Sequence, residues 1–169
     1  MAGNLHFNEL LQELNDAGVE YLVIGGYAVM FYTEPRFTKD LDIWVRNTTQ
    51  NSQAVYDALV RYGAPLKSDG ITHESFKQSD LVYQIGVVPM RVDFSTYIDG
   101  LGFDTAWQHK VPAQLFGASV NVISLPDLIL NKKAADRPDD RKDVKRLEKK
   151  AEPPKARLLR PRPKTHPGD

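Results

Sequence analysis

The feature that most restricts how this chain folds is a strand, a glycine pair and a helix in immediate succession near its start. Tyr21-Leu-Val-Ile24 is a short apolar run suited to a buried strand, and Gly25-Gly26 breaks it. Tyr27-Ala-Val-Met-Phe-Tyr32 then reads as a buried helix, Pro35 closes the stretch, and Leu41-Asp-Ile-Trp-Val45 is a second strand. A strand that turns directly into a helix and is followed by another strand belongs to a layered sheet-and-helix domain. Upstream, Phe7, Leu10, Leu11 and Leu14 recur at helical spacing, and Gly18 ends the pattern. Downstream, a third helix is predicted from Thr49 to Tyr62, with Val55, Leu59 and Tyr62 on one face and Gly63 at its end.

Residues 64–80 are polar and predict a loop with one short element at most. Leu81–Val87 and Met90–Ser95 are two strand-like runs close enough to form a hairpin, and residues 111–123 predict another, turning at Gly117. Ser124, with Pro126 in the first turn and Asp127 three residues on, predicts a helix start, and Asp139 or Asp140 is the expected cap of a last helix reaching about Lys150. Beyond that, Pro153, Pro154, Pro161, Pro163 and Pro167 alternate with five Lys or Arg, a composition with little to bury. The expectation is an α/β (α+β) domain over residues 1–151, a mixed sheet flanked by helices, followed by a disordered basic tail over 152–169.

Composition narrows the chemistry. With 169 residues, the chain suits one domain with a real core. Lys+Arg and Asp+Glu are both 22, so bulk charge argues neither for nor against a nucleic-acid partner. The absence of cysteine excludes disulfides and thiolate metal sites and suits a reducing cytoplasm, the expected location. No apolar segment has the length of a membrane span, and the start shows no secretory pattern. The histidines at 6, 73, 109 and 166 lack the close spacing of a zinc pair and read as surface or packing residues.

The carboxylates carry the functional signal. Alternation along the second strand puts Asp40 and Asp42 on one face, with Leu41 and Ile43 on the other. Isolated, such a pair is most simply two aspartates on a solvent-facing strand. Side by side, however, they repel, and a hard divalent cation compensates them well. In Met90-Arg-Val-Asp-Phe-Ser95, Asp93 shares a face with Arg91 and Ser95, so a neighbouring strand could bring it beside Asp40 and Asp42. Asp80, Asp99 and Asp104 are rival carboxylates in turn-like contexts. Gly25-Gly26 at the start of a helix is either a plain tight turn or a place where backbone amides meet a phosphate. Lys132 falls on the same helical face as Leu125, Leu128, Ile129 and Ala135; it either snorkels to the edge of that face or points at a phosphate. Lys133 lies further round toward that edge.

These residues resemble a known signature. Val23-Ile-Gly-Gly-Tyr-Ala-Val followed by Arg36-Phe-Thr-Lys-Asp-Leu-Asp-Ile-Trp-Val45 is similar to the motif of the DNA polymerase beta-like nucleotidyltransferase superfamily: a Gly-Gly or Gly-Ser pair, then Asp-x-Asp or Asp-x-Glu, with a third carboxylate on a later strand. Thr38-Lys-Asp-Leu-Asp42, Lys132 and the segment Arg141-Lys-Asp143, with Arg137 before it, resemble the minimal bacterial branch akin to abortive-infection nucleotidyltransferase-like toxins. The resemblance implies a minimal nucleotidyltransferase fold with two C-terminal helices. It implies transfer of a nucleoside monophosphate from a triphosphate such as ATP to a hydroxyl on RNA (tRNA among the options), a protein or a small molecule. It implies magnesium, or manganese in its place, held by Asp40, Asp42 and Asp93. The nucleotide would be bound by Gly25, Gly26, Arg36, Thr38 and Lys132. The alternatives are a non-catalytic nucleotide-binding module of a toxin–antitoxin-type system, with a cognate toxin or antitoxin as partner, and a scaffold whose basic tail binds a partner or RNA.

Overall fold

The computed structural model describes residues 2–152, with side chains from His6 onward; the proline-rich tail lies outside the described residues. The elements run α1 (Ala2–Asp16), β1 (Tyr21–Ile24), α2 (Gly25–Tyr32), β2 (Asp40–Val45), α3 (Thr49–Tyr62), a single 3-10 turn (Ser75–Lys77), β3 (Val82–Ile85), β4 (Arg91–Ser95), α4 (Phe103–Gln108), β5 (Val111–Leu115), β6 (Ala118–Val122), α5 (Leu125–Ala135) and α6 (Pro138–Ala151). The strands form one six-stranded sheet in the order β3-β4-β2-β1-β6-β5. β1 and β6 pair in parallel, as do β2 and β4, while the other neighbours are antiparallel. This is the mixed sheet expected, and the fold is that of a minimal nucleotidyltransferase with two helices at the C-terminal end.

β1 is buried along its whole length because it lies in the middle of the sheet with both faces covered. The β2–β4 register sets Leu41 beside Val92 and Ile43 beside Phe94, all buried, on one face. Phe76 from the 3-10 turn lies in T-shaped contact with Phe94 and Tyr83, α3 packs on that turn, and α1 packs on α3. From α1, Phe7, Leu10, Leu11 and Leu14 are almost fully buried. Each such side chain contributes on the order of 1.5–3 kcal/mol by leaving water. The opposite face of β2 carries Asp40, Asp42 and then Trp44, whose indole meets the Phe103 ring edge-on at 5.0 Å.

Local signals hold closely in several places. α3 has the predicted bounds, with the Thr48 side chain accepting from the Asn51 amide at its start and Gly63 left-handed at its end. Ser124 accepts from the Asp127 amide at the start of α5. Both hairpins form.

Two expectations need correction, and one element is additional. α2 begins at Gly25 rather than after the glycine pair. α6 starts at Pro138, because proline suits the first helical position; neither Asp139 nor Asp140 is the cap, and Asp140 instead reaches back to accept from the Arg137 amide at 3.3 Å. α4 was not foreseen: with only six residues it is too short to show a helical period. Among the described residues, no helix is long and apolar enough to cross a membrane.

Candidate active site

Parallel pairing of β2 and β4 sets Asp40 opposite Arg91 and Asp42 opposite Asp93. Alternation then turns Asp40, Asp42, Arg91 and Asp93 toward the same side of the sheet. Each of the three aspartates offers an oxygen within 4.8 Å of the other two. The cluster carries more negative charge than its surroundings compensate. Burial, then the neighbouring charges of Asp40 and Asp93, push Asp42 up to about 7, against the opposing pull of Lys132 and Arg91. Asp93 is also raised, first by burial and then by the Asp40 carboxyl beside it, while Arg91 and Gln84 pull it back.

The protein's own contacts satisfy this cluster incompletely. Arg91 Nη2 donates to Asp40 Oδ2 at 2.6 Å, and Gln84 Nε2 donates to Asp93 Oδ2 at 3.3 Å. Arg91 Nε lies 3.0 Å from Asp93 Oδ1, but the two are not aligned for a hydrogen bond. Both atoms are buried without a hydrogen-bond partner among the described residues. A buried carboxylate oxygen without a donor, beside two more carboxylates, fits a hard divalent cation: the ligands are all oxygens, and the charge repays the mutual repulsion. Asp40, Asp42 and Asp93 are the residues that would hold it.

The glycine pair has a steric cause in the fold. Gly25 adopts φ +66, and a Cβ there would fall 2.1 Å from Asp42 Oδ2. A Cβ on Gly26 would fall 2.6 Å from Thr38 Oγ1. Any larger residue would displace the Asp42 carboxylate or the Thr38 hydroxyl. Thr38 Oγ1 in turn donates to the Asp40 carbonyl at 3.1 Å, fixing the start of β2.

Lys132 lies on the buried face of α5, 8% exposed, and it neither snorkels outward nor stands free. Its Nζ is 2.9 Å from Asp140 Oδ1 and 3.3 Å from Asp143 Oδ2, both on α6. Arg36, expected at the nucleotide, lies with Nη1 2.7 Å from Asp143 Oδ1. Arg137 Nε donates to Asp140 Oδ2 at 2.9 Å. The late charged segment thus assembles through Arg137, Asp140 and Asp143, whereas Arg141 is exposed and pairs with Asp136. Asp140 and Asp143 were missed as partners of Lys132. Their signal was present: a lysine on an apolar helix face calls for acids, and an i,i+3 pair on the next helix supplies them.

The rival carboxylates stay outside the cluster. Asp80 and Asp99 are exposed, and Asp104 pairs with Arg46. His109 Nδ1 lies 2.9 Å from Asp127 Oδ2, away from the triad, and Lys133 pairs with Glu148 at the surface. His166 lies outside the described residues.

A mixed sheet that sets three carboxylates on two parallel neighbours, above a strand–Gly-Gly–helix turn, defines a protein of the nucleotidyltransferase type. The family described as "Nucleotidyl transferase of unknown function (DUF2204)" matches residues 4–166, and the chain belongs to that family. A comparison with curated proteins found no match.

Proposed function

We propose that the protein transfers a nucleoside monophosphate from a nucleoside triphosphate to an acceptor hydroxyl. The observation that carries this reading is the placement of Asp93 beside Asp42, which gathers three carboxylate oxygens within 4.8 Å of one another. Asp40 and Asp42 would hold the divalent cation that travels with the triphosphate, magnesium or manganese, and Asp93 would serve mainly a second cation beside the attacking hydroxyl. When bound, such a cation neutralises charge on the phosphates and on the attacking and leaving oxygens.

The residues of the chain divide the remaining work. Asp93, on the strand next to β2, takes the proton of the acceptor hydroxyl. The new bond joins that oxygen to the α-phosphorus, the bond from the α-phosphorus to the bridging oxygen breaks, and pyrophosphate leaves with the electron pair. Gly25 and Gly26, at the start of α2, offer backbone amides to the phosphates, helped by the helix dipole. Thr38 holds the Asp40 backbone in place. Lys132 and Arg36 supply positive potential while tied to Asp140 and Asp143. The acceptor is a hydroxyl on RNA, a protein or a small molecule, and resemblance to the toxin-like bacterial branch adds a cognate toxin or antitoxin as a partner to search for.

Incubating the full chain with magnesium, α-labelled triphosphates and cell extract tests the reading. The expected result is a labelled acceptor that is absent with Asp93→Asn. Saturable nucleotide binding without transfer would replace it with a regulatory nucleotide-binding module.

A further inference from the structure

The cations around the carboxylate cluster differ in what holds them. Lys132 is held by Asp140 and Asp143, Arg36 by Asp143, and Arg137 by Asp140. None of those acids belongs to the triad. Arg91 is held by the triad itself, 2.6 Å from Asp40 Oδ2 and 3.0 Å from Asp93 Oδ1. Its backbone is fixed by pairing opposite Asp40 at the start of β4, and its side chain is 28% exposed, at the rim of the site.

We propose that Arg91 is the internal counter-ion of the metal-free triad and becomes a phosphate-binding cation once a divalent metal takes its two carboxylates. The inference rests on the metal-binding reading of Asp40, Asp42 and Asp93. A guanidinium and a divalent cation want the same oxygens, so each weakens the hold of the other. Arginine cannot shed its charge to resolve the competition. Released from Asp40 and Asp93, it seeks another anion, and the reaction brings one: the triphosphate, whose oxygens match the planar fork of a guanidinium. Lys132 and Arg36 keep their own acids throughout, because a metal at the triad takes none of those carboxylates. Arg91 therefore raises the metal concentration at which the empty site loads and strengthens nucleotide binding after loading.

The two effects have opposite signs, and a merely structural arginine would not produce both. Manganese binding to the nucleotide-free full chain is followed by the resonance signal of free Mn2+, and ATP affinity is measured calorimetrically at saturating magnesium. Arg91→Gln is expected to bind Mn2+ about tenfold more tightly, and ATP about tenfold more weakly, the scale for losing a charge-assisted contact. Arg91→Lys keeps the charge but loses the two-armed contact; it is expected to tighten Mn2+ about threefold and carries the test should Arg91→Gln not fold. Mn2+ affinity equal to or weaker than the parent in both variants, or unchanged ATP affinity, overturns the inference. Asp42→Asn and Asp93→Asn serve as references: if neither changes Mn2+ binding, the metal reading fails and this inference fails with it. If both weaken binding while the Arg91 variants do not tighten it, only this inference fails.

Discussion

Two clusters of charge lie close together in this protein, one around the buried Lys132, Asp140 and Asp143 and one around the part-buried triad, and they differ in how their charge is balanced. In the α5–α6 cluster, Lys132, Arg36 and Arg137 meet Asp140 and Asp143 at 2.7–3.3 Å, cation against acid. In the β2–β4 cluster, three aspartates meet one arginine; among the described residues each cluster keeps one buried carboxylate oxygen without a hydrogen-bond donor, Asp143 Oδ1 in the first and Asp93 Oδ1 in the second, so the difference lies in the charge. The first cluster is compensated from within and holds two helices and the loop before β2 together. The second is left short of positive charge, which is costly unless something outside the chain supplies it. Charge balance, more than burial, separates a structural site from a candidate reactive one.

The largest expected effect attacks the uncompensated side. Asp40→Asn or Asp42→Asn removes a charged ligand, so magnesium-dependent nucleotide binding, measured by calorimetry, and transfer should both be lost. Nucleotide binding that still depends on magnesium in both variants would break the contrast at its root.

Next comes the balanced side. Lys132→Met leaves Asp140 to Arg137 and Asp143 to Arg36, so neither acid is stranded, and the expected loss is about 1.5–3 kcal/mol of unfolding free energy, the scale of a lost charge-assisted contact. Denaturant melts of the parent and the variant decide this; equal stability would mean that Lys132 holds nothing together.

Asp93→Asn is expected to reduce transfer about a hundredfold while leaving magnesium–nucleotide affinity nearly intact, the scale of a positioned base. Parental rates in a transfer assay would remove Asp93 from the reaction.

A smaller effect sharpens the comparison through pH. Asp42 is raised to about 7 in the folded, metal-free chain and titrates near its ordinary value when unfolded. Between those values the folded state holds the extra proton, so stability falls as pH rises from about 4 to 7 and then levels off. Melting temperatures without metal should show that fall, Asp42→Asn should flatten it, and magnesium at pH 7 should recover the lost stability. The smallest effect is a surface control: Lys133→Ala breaks only the exposed pair with Glu148 and should change stability by less than about 0.5 kcal/mol.

Much of this was legible along the chain. Alternation alone placed Asp40 and Asp42 on one face and Asp93 with Arg91 on another strand's equivalent face, and helical period with caps gave α3 its bounds. These are local properties, fixed by backbone geometry within one element. The tertiary structure decided which faces meet. Only the parallel register of β2 and β4 sets Asp93 abreast of Asp42, and only that register puts Arg91 across Asp40 and Asp93. Only the docking of α6 on α5 gives Lys132 its acids, Asp140 and Asp143. The sequence called for glycine at 25 as a strand-to-helix turn, but the approach of Asp42 Oδ2 to 2.1 Å from a would-be Cβ appears only once β2 lies beside β1. Periodicity repeats within an element and can be read there; a partner on another element is chosen by packing, which has no period to read.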